Sequence, residues 1–247
     1  TGRYGDAVES GAVQVTAPSP TPRAVSVGRP PWWLFLTAAL VGSVVTVELL
    51  AGGALERIDL RVAEVVGRWD LEHSVAYPAV WLATQLGGRA TLLAVLAATV
   101  GHLAWRRHTW VPLVRVLVAL SLLTASVYAL KYGTGRTAPA FPGSFFFTPG
   151  GTSFPSGHVA NAVLMWGMAR WLAVEYGLPV RVQHAFRLLH VLGPVGTAVA
   201  MVALNFHWVT DAVVGAAVGI VLLGVVHALD AHVLSRWVRA RAGRPSA

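Results

Sequence analysis

The stretch VPLVRVLVALSLLTASVYALK, residues 111–131, joins a long apolar run to the only lysine in the chain. A membrane-spanning helix needs about 20 mostly apolar residues, and Val111–Leu130 has that length. Lys131 follows the run directly, where the end of such a helix would meet the membrane surface. The stretch therefore predicts a transmembrane helix that ends in a cation.

The composition of the whole chain also indicates a membrane protein. Of its 247 residues, 55% are hydrophobic and 12% are charged, whereas a soluble domain has about 25% charged residues. The absence of cysteine excludes disulfides, thiol nucleophiles and cysteine metal sites. The net charge of +8 comes from arginines at the ends of apolar runs, so we assign it to membrane topology and predict no nucleic-acid partner.

The apolar runs predict an all-α fold, a bundle of six transmembrane helices. Residues 56–72 instead alternate apolar and charged residues at helical spacing, which predicts an amphipathic helix on the extracytoplasmic surface. Val75–Leu86 is too short to span comfortably and is expected to pack beside that helix. The six predicted spans are Trp32–Ala51, Thr91–Trp105, Val111–Leu130, Val159–Val174, Leu188–Leu204 and Ala212–Leu229.

Three regions follow from these runs. Residues 1–31 are rich in Pro, Ser, Thr and Gly and are expected to form a disordered tail. Because the first long apolar run begins only at Trp32, we expect no cleavable signal peptide. Residues 32–235 form the predicted transmembrane domain, and residues 236–247 form a basic cytoplasmic tail.

The distribution of arginine predicts the orientation in the membrane. Basic residues favour cytoplasmic loops, and with six spans both termini are then cytoplasmic. Lys131, His158 and His207 all fall on the outer face, so we expect a plasma-membrane protein whose functional groups face outside. The arginine-rich segments that decide this orientation are 23–29, 106–107, 181–187 and 236–244.

A first short motif, Pro155-Ser156-Gly157-His158, precedes the fourth span. Proline is tolerated at the first turn of a helix, and a helix N-terminus presents free N–H groups that bind anions. Gly157 lets the backbone approach an anion, the Ser156 hydroxyl can donate to it, and His158 can protonate a leaving oxygen. The alternative is an ordinary helix cap with an interfacial histidine.

A second motif is His207-Trp208-Val209-Thr210-Asp211. His207 and Asp211 are four residues apart, so on a helix the carboxylate can hold one ring nitrogen and leave the other free to attack. The alternative is a structural His–Asp pair that caps the last helix. We favour a functional role, because an aspartate at a membrane boundary is costly without a purpose.

Lys131 is followed by Tyr132-Gly133-Thr134-Gly135-Arg136, where two glycines beside an arginine suit a turn around an anion. Lys131 and Arg136 are therefore candidate phosphate-binding residues, and a snorkelling anchor is the alternative for the lysine. These cations would repel a metal ion at His158, His207 and Asp211. We accordingly predict neither a metal nor another cofactor.

Taken together, Lys131…Pro139, Pro155-Ser156-Gly157-His158 and His207…Asp211 resemble the motifs of the type 2 phosphatidic acid phosphatase (PAP2) superfamily. The resemblance covers roughly residues 32–230. It implies a membrane phosphatase that hydrolyses a lipid phosphate or a polyprenyl pyrophosphate without a metal, with membrane lipids around it.

The resemblance also implies a role for each motif residue. His207 would attack phosphorus to form a phosphohistidine, and Asp211 would orient it. His158 would protonate the leaving oxygen and then activate water. The phosphoryl oxygens would be held by Lys131, Ser156 and the N–H group of Gly157.

Two positions depart from the superfamily pattern. Ala138 stands before Pro139 where the pattern has an arginine, and Ala200-Met201 stands where the pattern has Ser-Arg ahead of the histidine. Arg136 is the candidate to replace one of these arginines. Two alternatives stay open, namely a phosphotransferase that uses the same histidine and a degenerate member that binds a lipid or a partner protein. The sequence does not indicate an oligomeric state.

Overall fold

The computed structural model describes residues 31–141 and 143–234, and all regular secondary structure within them is helical. This confirms the all-α fold, whereas the predictions for the two tails lie outside the described residues. The α-helices along the chain are α1 Trp32–Leu50, α2 Ala54–Gly67, α3 Tyr77–Thr84, α4 Arg89–Arg107, α5 Val111–Thr134, α6 Gly157–Glu175, α7 Val180–Ala203 and α8 Val209–Leu229.

The number of membrane-spanning helices differs from the predicted six. Among the described residues, α1, α5, α7 and α8 are long and apolar enough to cross a membrane, and the bent pair of α3 and α4 makes a fifth span if counted as one. The six-span count is therefore not confirmed. The remaining long helix, α6, contains polar residues such as Asn161 and Arg170, and polar residues in membrane bundles face protein rather than lipid.

Helix α6 forms the centre of the bundle. Most of its side chains from Val159 to Ala173 are buried, and α4, α5, α7 and α8 pack around it. Helix α8 approaches it closely, because a Cβ atom on Gly219 would lie only 2.7 Å from the Val163 Cβ atom. The two glycines at positions 215 and 219 therefore serve helix packing.

The amphipathic segment forms α2, which ends at Gly67. Its apolar side chains Ile58, Leu60 and Val65 are exposed. Glu48 in α1 accepts a hydrogen bond from the backbone N–H of Leu55 at 2.9 Å, so a carboxylate in the first span caps the start of α2. Helix α3 packs mainly against α7 rather than beside α2.

The alternating direction of the helices brings distant segments to one end of the bundle. Helices α4, α6 and α8 begin at the end where α5 and α7 finish. Lys131, His158 and His207 consequently line one cavity. The predicted convergence of these three residues is confirmed.

The opposite end is held together by Arg115, near the start of α5, whose side chain is 8% exposed. It donates to Glu175 at the end of α6 at 2.8 Å. It also donates through Nε and Nη2 to Asp230 after α8, at 2.7 and 3.0 Å. The guanidinium carbon lies 4.8 Å from the centre of the Trp171 ring, a cation–π contact. One nearly buried cation thus joins three helix ends.

Replacing Arg115 by leucine should destabilise the bundle, because two carboxylates lose their cation in a largely buried setting. We expect a loss of about 2–4 kcal/mol, measured as a lower midpoint of thermal unfolding in detergent. Arg106→Leu is the matched control, because Arg106 is exposed at the same end of the bundle. Equal midpoints for the two variants would contradict the role given to Arg115.

Candidate active site

A cavity of about 660 Å³ opens at the end of the bundle where α5 and α7 finish. The basic side chains on its wall, with histidine included, are Arg89, Lys131, His158 and His207, and no carboxylate lines it among the described residues. Such a charge distribution favours an anionic ligand, because nothing acidic on the wall opposes its entry. The rest of the wall comes largely from apolar side chains of α5 and from residues 137–141 and 148–153, which are mainly Thr, Ser and Gly.

His207 lies in the turn between α7 and α8 and reaches this cavity. Its Nδ1 atom is 3.3 Å from Asp211 Oδ2 and 3.3 Å from Ser153 Oγ. Asp211 is fully buried, and its Oδ2 atom also accepts the backbone N–H of Trp208 at 3.2 Å. Because Nδ1 is directed at these partners, Nε2 is the ring nitrogen left for chemistry.

The start of α6 supplies a second part of the site. The backbone N–H of Ser156 donates to the Asp211 carbonyl oxygen at 2.9 Å, which ties α6 to α8. The Ser156 hydroxyl is buried, does not cap α6 and has no hydrogen-bond partner among the described residues. Ser156 is 0% exposed and does not line the cavity, whereas Gly157, the first residue of α6, does. The free N–H groups at this helix start suit an incoming anion.

Gly157 and Lys131 face each other across this helix start. A Cβ atom on Gly157 would lie 3.5 Å from Val127 Cγ1 and 3.8 Å from Lys131 Cε, which are ordinary contacts. The protein therefore has room for a methyl group at position 157. The Lys131 ammonium is held at the cavity wall, where it donates to the carbonyl oxygen of Thr152.

Arg136 does not line the cavity. Its side chain is completely buried, and its Nη1 and Nη2 atoms donate to Asp211 Oδ1 and Asp59 Oδ2, each at 2.7 Å. Contact with a phosphate would require the guanidinium to leave both carboxylates. The role predicted for Arg136 thus stays a prediction, and this geometry does not favour it.

Arg89 lines the cavity although it belongs to none of the sequence motifs. It is the first residue of α4 and is exposed, and within the described residues it forms no ion pair. The preceding Gly87 packs so closely on α6 that a Cβ atom would lie 2.4 Å from the His158 carbonyl oxygen. Asn161 Nδ2 also donates to the Gly87 carbonyl at 2.9 Å. The turn between α3 and α4 is therefore held against the start of α6.

Two polar residues close to Asp211 were also missed, Asp59 of α2 and Ser153 of the loop before α6. Asp59 is 1% exposed, and a carboxylate in an otherwise amphipathic helix carries no sequence mark of burial. Ser153 lies in the long loop between α5 and α6, and its contact with Asp211 depends on how that loop folds.

The two positions that depart from the superfamily pattern also lie at this site. Ala138 lines the cavity, and the Met201 side chain is buried in α7, where its carbonyl accepts the His207 N–H at 3.3 Å. In the described part of the chain, no three His, Asp or Glu side chains are grouped as metal ligands. The site thus offers cations, histidines and a helix start.

Comparison with known proteins gives three similarities. The model of the PAP2 superfamily matches residues 112–233. Phosphatidylglycerophosphatase B of Bacillus subtilis (strain 168) is 29% identical over 150 residues, 60% of this chain and 71% of that protein. The crystal structure of the first transmembrane PAP2 type phosphatidylglycerolphosphate phosphatase from Bacillus subtilis shares the fold, with a TM-score of 0.57 at 21% identity, over 81% of this chain and 96% of that chain.

These similarities agree with the architecture and with the residues at the cavity. The matched segment 112–233 contains Lys131, His158, His207 and Asp211. Several helices are apolar enough to span a membrane, and the chain is an integral membrane protein. Its residues 112–233 form a PAP2 superfamily domain.

Proposed function

We propose that the chain is a membrane phosphatase that hydrolyses a lipid phosphate or a polyprenyl pyrophosphate. The observation that carries this proposal is the cavity itself, in which Lys131, His158 and His207 meet without a carboxylate on the described wall. The name of its Bacillus subtilis relative, phosphatidylglycerophosphatase B, supports a lipid phosphate as substrate.

In the proposed mechanism, His207 Nε2 attacks phosphorus and forms an N–P bond while the bond from phosphorus to the leaving oxygen breaks. His158 gives its proton to that oxygen, so the lipid leaves as an alcohol or a shorter phosphate. His158 then takes a proton from water, whose oxygen attacks the phosphohistidine. Inorganic phosphate is released and His207 is restored, while Asp211 Oδ2 stabilises the ring through Nδ1.

The reacting phosphoryl group would lie between Lys131 and the start of α6. Lys131 supplies charge and the Gly157 N–H group donates to its oxygens, whereas the Ser156 hydroxyl, which does not line the cavity, would have to turn toward it to donate. We assign the remaining cationic contact to Arg89, because Arg136 is committed to Asp59 and Asp211. Arg89 would then compensate for the arginine absent at Ala138.

A lipid substrate also needs an apolar path from the phosphate to its chain. Leu123, Val127 and Tyr128 of α5 line the cavity along with Lys131. Leu123 and Lys131 are eight residues apart, or about 12 Å along a helix. The cavity therefore follows α5 from a cation toward the apolar middle of the bundle, which suits a lipid whose chain stays in the membrane.

The proposed orientation places this cavity on the outer face of the plasma membrane and both termini in the cytoplasm. Its support is the position of Arg106, Arg107, Arg181 and Arg187, which lie at the other end of the bundle from the cavity. Loops rich in arginine favour the cytoplasmic side.

Phosphate release in detergent, with a chelator present, tests the proposed function. The panel contains phosphatidate, phosphatidylglycerol phosphate and a polyprenyl pyrophosphate. We expect wild type to release phosphate from at least one of them and His207→Ala to lose activity by at least about a thousandfold. The control is His102→Ala, because His102 is exposed in α4 and does not line the cavity.

Each outcome of that assay is informative. Rapid quenching and mass spectrometry should find the phosphoryl group on His207. No release from any of the three lipids would contradict the proposal, and release only when an alcohol acceptor is added would establish the phosphotransferase instead. Retained activity in His207→Ala would exclude the phosphohistidine.

Gly157→Ala tests whether the start of α6 binds the phosphate. Because the protein has room for the methyl group, we expect an unchanged unfolding midpoint. The same methyl group would stand between the helix start and Lys131, so kcat/KM should fall by at least about tenfold through one lost charge-assisted contact. The control is Gly101→Ala, because Gly101 has open space around it. Full activity in Gly157→Ala would contradict phosphate binding at this position.

Arg89→Ala tests the assignment of the second cation. Loss of a charge-assisted hydrogen bond of about 1.5–3 kcal/mol should lower kcat/KM by about 10- to 100-fold, with partial recovery in Arg89→Lys. Arg61→Ala is the matched control, since Arg61 is an exposed arginine of α2 outside the cavity. If both arginine-to-alanine variants keep wild-type kinetics, Arg89 is not a substrate contact.

A further inference from the structure

A fully buried cluster lies directly behind His207 and Asp211. It contains Asp59 from α2 and Arg136 from the loop after α5, and neither side chain is exposed at all. Asp59 lies outside the segment that matches the PAP2 superfamily, residues 112–233. Asp59 therefore adds to the site a group from outside this matched segment.

Arg136 holds the two carboxylates on opposite sides of one guanidinium. Its Nη2 atom donates to Asp59 and its Nη1 atom donates to Asp211 Oδ1, each at 2.7 Å. Nε and Nη2 also donate to Ser144 Oγ, at 3.1 and 2.9 Å. The rings of Phe146 and Trp208 lie over the guanidinium carbon, with centroids 5.1 and 5.2 Å away. The guanidinium is thus hydrogen-bonded to both carboxylates and to Ser144 and is in contact with two aromatic rings.

Asp59 also holds the start of α8 directly. Its Oδ1 atom accepts the backbone N–H of Thr210 at 3.1 Å, and its Oδ2 atom accepts the Thr210 hydroxyl. The first N–H groups of a helix have no partner inside the helix, so a carboxylate from α2 caps α8 one residue before Asp211. The position of Asp211 is fixed from its backbone as well as from its side chain.

The charges of the cluster explain why two carboxylates are needed. If Asp211 were the only carboxylate on Arg136, the two charges would cancel and Asp211 would have less negative charge to offer His207. With Asp59 present, the three groups sum to one negative charge. That remaining charge matches the positive ring that forms when His207 Nε2 becomes bonded to phosphorus.

We propose that Asp59, acting through Arg136, is a positioning residue that fixes Asp211 and keeps its charge available to His207. The kinetic test of this inference rests on the proposed function, whereas the position of Asp59 does not. Asp59 contacts neither the cavity nor His207 and acts entirely through the buried cluster. The consequence is that a surface helix, α2, takes part in orienting the nucleophile.

Asp59→Asn keeps the shape of the side chain and removes its charge. We expect kcat to fall about 10- to 100-fold, the size seen when outer hydrogen-bond partners of metal-bound histidines are removed. KM should stay within about twofold, because no substrate contact is lost. Glu64→Gln is the matched control, since Glu64 is an exposed carboxylate of the same helix, paired with Arg68. Wild-type kcat in Asp59→Asn, or an equal loss in Glu64→Gln, would overturn the proposal.

A second measurement does not depend on turnover. In ¹⁵N spectra of the histidine rings, assigned with His207→Ala, we expect neutral His207 of wild type to carry its proton on Nδ1. In Asp59→Asn the Nε2–H tautomer should gain population, and an unchanged spectrum would overturn the proposal. If wild type released no phosphate, the proposed function would fail while this spectrum would still decide the role of Asp59.

Further variants separate positioning from folding. If Asp59 and Arg136 act as one unit, Asp59→Asn/Arg136→Gln should lose no more activity than the worse single variant, whereas additive losses would contradict the coupling. Should Asp59→Asn fail to fold, Thr210→Val removes a hydroxyl from the same cluster without changing its charge. A drop in kcat at unchanged KM is again expected, and unchanged kcat in this variant would overturn the proposal.

Discussion

The burial of one guanidinium, that of Arg136, is the interaction on which the site depends. A buried cation is tolerated only when its charge is paired and its donors are used, and Arg136 meets that demand with Asp59, Asp211 and Ser144. These partners come from α2, α8 and the loop after α5. Satisfying one charge therefore brings three parts of the chain together behind His207.

The same requirement gives the two carboxylate oxygens of Asp211 different partners. One carboxylate oxygen is used by Arg136, and the other lies near His207 Nδ1 and accepts from Ser153 and the Trp208 N–H. In the described part of the chain, the acidic groups near His207 are Asp59 and Asp211, and both lie behind it, inside the protein. The described wall of the cavity in front of it carries cations and histidines. In the proposed mechanism, this separation would let a carboxylate support the histidine without repelling an anionic substrate.

The bundle is fastened by buried arginines at both ends. Arg115 joins the ends of α6 and α8 to the start of α5, as Arg136 joins α2 and α8 at the other end. Between them, contact rests on small residues such as Gly219, which bring α8 against α6. Lipid provides no hydrophobic driving force for helices to associate. Polar clusters at the two ends of the bundle and close helix packing in its middle therefore determine which helices pair.

The sequence by itself determined the membrane class, the helical fold and the meeting of Lys131, His158 and His207, because apolar length, proline and glycine positions and helix direction are local properties. It predicted Asp211 as the partner of His207 from a spacing of four residues, and their side chains do meet. Only the tertiary structure decided that Arg136 is buried, that Asp59 caps α8 and that Arg89 reaches the cavity. Burial and charge pairing of these residues depend on contacts between segments more than 70 residues apart, which no local pattern records. The number of spans differed from the predicted six for a similar reason. Helix α6 is surrounded by other helices, so its side chains contact protein and need not be as apolar as those of a lipid-exposed helix.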